Sequence, residues 1–172
     1  MLFHFSEDSS IREFAPHVPR TNPTHPAAVW AIDEANSPLY WFPRDCPRVT
    51  VWARTDAEAA AFSATFRTTA RRLHAIEEVW WERMNAVEVF RYSFDAYNFG
   101  PWAAASGQWT SSRTVVPLAV EPLGDLVGLH DSASIELRVL PSLWLLHDIV
   151  TAGDWEFSFV RMANASPRAT PE

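Results

Sequence analysis

Three short apolar runs, each closed by turn-forming residues, crowd into the start of this chain at positions 2–5, 28–32 and 49–52. None is long enough for a helix, and all are rich in β-branched or aromatic residues, so each reads as a strand. Between the first two, residues 12–26 hold Pro16, Pro19, Pro23 and Pro26, together with His17, Arg20 and His25. Prolines at that density forbid a helix and disfavour an inner strand, leaving an ordered loop or a flap. Ser37 ahead of Pro38 suits the cap of a short helix that Pro43 stops. A chain that begins in this way is committed to a sheet.

The remainder alternates between periods. Residues 55–62 place good helix formers behind a Thr/Asp cap. Leu73, Ile76, Trp80 and Met84 recur at spacings of three and four, which predicts an amphipathic helix over 70–84. The period then falls to two through Val87, Val89, Tyr92 and Phe94, a strand that stops at Asp95. After a loop over 96–106, residues 107–111 and 114–120 read as strand, and Pro122 opens a short helix through His130. Residues 134–139 form a strand, 141–151 a helix ended by Gly153, and 155–162 a last strand. Interleaved elements joined by tight turns point to an α+β fold with a curved, mainly antiparallel, split sheet flanked by helices. We expect a single domain over 1–165 and a frayed tail over 166–172.

Composition narrows the function. The net charge of −7 argues against a nucleic-acid surface, which needs basic patches, but allows one small anionic ligand held by an arginine or two. All fourteen basic residues are arginine, so Schiff-base and P-loop lysines are excluded. The lone Cys46 excludes an intrachain disulfide and any multi-cysteine metal site. The six histidines show no H-x-x-x-H spacing, so no metal is expected. No stretch approaches the roughly 18 apolar residues of a membrane span, and no leader pattern opens the chain, so a cytoplasmic protein is expected. Oligomeric state is left open.

A few residues stand out as candidates. His4, between Phe3 and Phe5, faces away from both; it either contacts a ligand hydroxyl or is a structural imidazole bonded to backbone, the commoner role. Ser6 has the same parity and either extends a polar row or begins a turn. Trp30 and Tyr40 flank the bend after the second strand, where rings either stack on a planar ligand or fill the core. Arg44 and Arg48 bracket Asp45 and Cys46, and two guanidiniums so close can clamp a phosphate or pair with nearby carboxylates. Cys46 itself is read as a buried, inert thiol rather than a nucleophile.

The opening L-F-H-F-S, the V-W-A-I-D strand with its following P-L-Y-W-F, and the later G-Q-W-T-S-S-R-T-V-V-P-L occur in an order that resembles the ADP-ribosyltransferase superfamily. The small members that modify rifamycins are the nearest in pattern. The resemblance implies a sheet that grips NAD, with His4 on the ribose and Trp30, where a Tyr is usual, or Tyr40 against nicotinamide. Arg44 or Arg48 would meet the pyrophosphate, with Ser6 beside the site. Gln108 stands where many members carry Glu, and Asp95 is the alternative acid of the rifamycin-type pattern. The implied reaction is transfer of ADP-ribose from NAD to a small molecule or a macromolecule, in a cleft lined by His4, Trp30, Tyr40 and Gln108. The rival reading is a noncatalytic module that binds a small ligand in the same cleft. Across nearly its whole length the chain also resembles a group of uncharacterised bacterial proteins sharing L-F-H-F-S-E-D and L-Y-W-F-P-R-D-C-P-R, a resemblance that brings no activity.

Overall fold

The structure, a computed structural model, describes residues 1–19 and 23–168. Part of the expected loop, 20–22, and the end of the expected tail, 169–172, lie outside the described residues. In chain order the elements are β1 (Leu2–Ser6), β2 (Val29–Ile32), β3 (Arg48–Trp52), α1 (Asp56–Phe66), β4 (Arg72–Glu77) and α2 (Trp81–Ala86). They continue with β5 (Phe90–Phe94), β6 (Gly100–Pro101), β7 (Gln108–Ser111), β8 (Ala119–Pro122) and α3 (Leu126–Ser132). Then come β9 (Glu136–Leu140), α4 (Trp144–Thr151) and β10 (Glu156–Val160). The fold is α+β, and the chain divides into two compact units, each assembled from two separate segments.

The first unit takes Met1–Trp41 and Glu88–Gly124. It carries a six-stranded sheet in the order β6-β7-β2-β1-β5-β8, antiparallel throughout. One face is packed by Leu2, Val29, Ala31, Tyr92, Phe94 and Val115. Phe14 adds its ring edge-on to Tyr92 at 5.1 Å and to Phe94 at 5.2 Å. The Tyr92 hydroxyl donates to the Asp8 carbonyl at 2.6 Å and accepts from the Ile11 N–H at 3.3 Å, which pins the chain leaving β1. Residues 114–118 are not strand as expected. Pro117 has no N–H to give a ladder, and Val115 instead makes an isolated bridge to Phe14 before β8 begins. Pro122 closes β8 rather than opening a helix; Asp125, accepting from the Val127 N–H at 3.0 Å, caps α3.

Gly107 has φ +75°, and a Cβ placed there would lie 2.1 Å from the Asn36 side-chain nitrogen. That amide is held by Asp33 Oδ1 at 2.9 Å, and Asp33 N–H donates to the Gly107 carbonyl at 2.9 Å. Gly107→Ala therefore combines left-handed strain with a displaced hydrogen-bonded neighbour, and we expect a loss of about 2 kcal/mol in chemical denaturation. A change within a few tenths of a kcal/mol would show that the turn is not strained by a side chain.

The second unit takes Phe42–Val87 and Asp125–Glu172. Its four-stranded sheet runs β10-β3-β4-β9, antiparallel except for the parallel β4–β9 pair. Val49, Val51, Leu73 and Ala75 pack one face against Phe62 and Phe66 of α1 and Leu146 and Val150 of α4. The Thr55 hydroxyl accepts from the Glu58 N–H at 3.3 Å and starts α1 as its sequence predicts. The helix predicted over 70–84 is the main correction. Residues 72–77 are an inner strand with Leu73 through Glu77 all buried, followed by a 3-10 turn over Glu78–Trp80 and the short α2. A strand covered on both faces has no alternation to show, so its apolar positions mimicked a helical spacing. The tail expected to fray is anchored at Ser166 and Arg168, whose guanidinium forms a bidentate pair with Asp148 at 2.9 Å on both sides.

Candidate functional site

Directly opposed residues in a ladder project from the same sheet face, and successive residues from opposite ones. In β1, Leu2, His4 and Ser6 oppose Phe94, Tyr92 and Phe90 of β5. Phe3 opposes Ile32, while Trp30 and Ile32 of β2 oppose Thr110 and Gln108 of β7. His4 thus belongs to the core face of the first unit, and Phe5, Trp30 and Gln108 to the other. The cleft expected to gather His4, Trp30, Tyr40 and Gln108 is corrected accordingly: the last three share a face that the first does not.

His4 is half-buried, 4.9 Å from the Phe14 ring. Its Nδ1 lies 3.0 Å from the Trp30 carbonyl oxygen. A carbonyl only accepts, so Nδ1 carries the proton, and the imidazole ties β1 to β2. This is the structural role, bonded to backbone. Its parity was legible in the sequence; which parity faced the core was not, because Tyr92 and Phe94, which pack that face, come from far along the chain. Ser6, 5% exposed, accepts from the Asp8 N–H at 3.1 Å and begins a turn rather than facing a ligand.

On the opposite face Tyr40 lies parallel to Phe5, ring centres 6.1 Å apart and planes within 1°. The Gln108 side-chain amide donates a long 3.5 Å bond to the Tyr40 hydroxyl. The short 3-10 turn that carries Tyr40, Ser37–Tyr40, starts one residue earlier than a serine cap would place it, with Asn36 in the cap position. Ser37 is its first residue and donates to the Glu34 carbonyl at 2.9 Å. Trp30 is half-buried and meets His25 at 5.4 Å and Trp102 at 5.2 Å, with His25 and Trp102 5.1 Å from each other. The Trp30 indole nitrogen and His25 Nδ1 are buried, and among the described residues neither has a hydrogen-bond partner. Sequence reasoning missed His25 and Trp102 because both sit in loops, where no periodicity reports which rings meet. Asp95 is exposed at the end of β5, and its Oδ1 accepts from the Tyr97 N–H at 3.0 Å, capping the turn over Ala96–Asn98.

Arg44 and Arg48 belong to the second unit. Arg44 is exposed, but Arg48 is only 3% exposed, donates to the Cys46 carbonyl at 3.1 Å and lies 4.9 Å over the Phe42 ring. A guanidinium sealed in this way is a structural cation, and the paired clamp expected of these two arginines is corrected. Cys46 is fully buried, and burial pushes its thiol up to about 12 despite the nearby Arg48, which removes it as a nucleophile at neutral pH.

The second unit also holds a pair that the sequence did not signal. His130 Nδ1 lies 2.7 Å from the Leu126 carbonyl, so it carries the proton and leaves Nε2 bare. That nitrogen is 3.0 Å from His74 Nδ1, which must then be the donor, and His74 Nε2 ends the series buried and unpartnered among the described residues. Burial holds His74 well below the usual histidine range, with His130, Arg72 and Arg48 adding to the effect. His130 is lowered too, by burial, against the opposing effect of its Leu126 bond. Both are neutral at pH 7. Among the described residues no group of three or more His, Cys, Asp or Glu could hold a metal ion, and no helix is long and apolar enough to cross a membrane.

A family model described as a family of unknown function, DUF6886, matches residues 3–165. Neither the curated proteins nor the solved structures contain a match to the chain.

Proposed function

The chain belongs to the DUF6886 family of unknown function, and from the first unit we propose that it binds a planar small-molecule ligand, of the NAD class, on the sheet face bearing Trp30, Tyr40 and Gln108. The observation that carries this is the pairing of a half-buried indole, whose buried N–H has no partner among the described residues, with a Tyr–Gln pair on the same face. Aromatic rings give a planar ligand area at low entropic cost, and an unpartnered donor gains a full hydrogen bond when a ligand oxygen arrives. NAD is named because the order of the motifs around His4, Trp30 and Gln108 resembles the ADP-ribosyltransferases. Transfer of ADP-ribose to a small molecule or macromolecule is the reaction attached to that resemblance, with Asp95 stabilising the cationic sugar by its charge. Two observations favour the noncatalytic reading of the same face: His4 projects from the other side, and Gln108 supplies no carboxylate.

NAD at ten times its dissociation constant should add about 1.4 kcal/mol to the stability of the protein, seen as a rise in melting temperature. Trp30→Ala should weaken binding by about tenfold, the usual scale for a buried aromatic anchor. A melting temperature indifferent to millimolar NAD would sink the binding proposal. Release of nicotinamide, lost in Asp95→Asn, would establish cleavage of the glycosidic bond, and ADP-ribose recovered on an acceptor rather than on water would establish transfer; binding without release leaves the module.

A further inference from the structure

Within the first unit, residues Tyr97 to Gly100 and Thr110 to Arg113 enclose a groove of about 420 Å³. Volumes of roughly 300–1,000 Å³ suit small molecules. We propose that this groove is a separate binding site for a small aromatic phosphate monoester, a nucleoside monophosphate or an aryl phosphate.

The Arg113 side chain carries the anion specificity. It is exposed, and among the described residues its guanidinium has no carboxylate partner, on a chain whose net charge is −7. A guanidinium presents a planar fork of donors that matches two phosphate oxygens at once. Its backbone is held on both sides by one buried hydroxyl: Arg113 N–H donates to Ser111 Oγ at 3.2 Å, and that Oγ–H donates to the Arg113 carbonyl at 3.3 Å. The ring specificity comes from the other lip. Tyr97 lines the groove and is 92% exposed, so its ring is open to a ligand. Its backbone is fixed by the Asp95 cap, and neighbouring Phe99 is anchored against Phe94 at 5.4 Å. Asn98, Thr110 and Ser112 line the same groove with neutral hydrogen-bonding groups, and its lining holds no carboxylate. A planar ring stacks on Tyr97, its phosphate reaches Arg113, and the amide and hydroxyls take up the polar atoms between.

Thr110 places this groove beside the Trp30 face, but its binding rests on Arg113 and Tyr97, so the two readings are told apart by which variant weakens binding. In isothermal titration calorimetry, AMP should bind the intact chain with a dissociation constant below about 1 mM, and phosphate or adenosine alone should each be at least about tenfold weaker. Arg113→Gln should weaken AMP by about tenfold or more and Tyr97→Ala by about threefold or more, while Trp30→Ala leaves AMP unaffected. Both altered side chains are exposed, and an unchanged melting temperature verifies the fold. Absence of AMP binding at 10 mM, phosphate binding as tightly as AMP, or a smaller effect in either variant overturns the proposal.

Discussion

Glu77→Ala should destabilise the protein by about 3 kcal/mol or more, because it strips a buried acceptor from several donors at once. Glu77 ends β4 and is 1% exposed. Its Oε1 accepts from the Leu143 N–H at 3.3 Å and the Ser166 N–H at 3.2 Å. Its Oε2 accepts from the same Ser166 N–H at 2.9 Å and from the Ser166 hydroxyl at 3.0 Å. The Ser166 carbonyl then accepts from the Trp144 indole at 2.7 Å, so one carboxylate ties the central strand to the start of α4 and to the last described segment. Each donor left unsatisfied in the interior costs about 1–3 kcal/mol. Glu77→Gln keeps the shape and one acceptor oxygen but turns an amide N–H₂ toward donors, and should cost about half as much. Urea denaturation of both variants tests the ranking. An alanine variant within 1 kcal/mol of wild type would mean that water or rearranged backbone replaces the carboxylate.

Acid should unfold this protein earlier than its carboxylates alone require. His74 and His130 are both depressed below the ordinary histidine value of 6.5. A depressed histidine is neutral when folded and takes up its proton on unfolding, so the unfolded state binds more protons as pH falls below about 6.5. Stability is at its full value above that pH and declines below it, until the folded pKa values are reached, by up to about 1.4 kcal/mol per pH unit for each ring. A proton on His130 would set donor against donor across the 3.0 Å contact, and one on His74 would enter at its buried, unpartnered Nε2, with Arg48 and Arg72 close by. The carboxylates of Glu58 and Asp148, held low by Arg54 and Arg168, weaken only below about 4, so the two windows are distinct. His130→Gln keeps an acceptor for His74 but does not titrate; it should roughly halve the slope of stability between pH 6.5 and 5. A slope identical to that of wild type would remove the pair as the cause.

Local chemistry made much of the fold legible. The cap at Thr55, the alternation through residues 136–139 and the punctuated apolar runs of β1, β2, β3 and β7 all act over a few residues, and each appears where its pattern predicts. So did the inertness of Cys46 and the possibility that His4 is bonded to backbone. What failed were statements that need to know what lies opposite. Residues 72–77 carry apolar side chains to two covered faces, and only the presence of β3 on one side and β9 on the other distinguishes them from a helix. Arg48 looked like a phosphate clamp until Phe42 and the Cys46 carbonyl enclosed it.

The amino-acid sequence by itself determined the α+β class, most strand positions and the parity of every residue on β1 and β2, because rotamers, caps and pleats are set by neighbours. The tertiary structure alone decided which parity is core, and therefore that Trp30 and Gln108 share a face without His4. It alone joined His74 to His130 across 56 positions. Burial and partner choice are properties of chain segments that meet only after folding, and no short-range pattern encodes them.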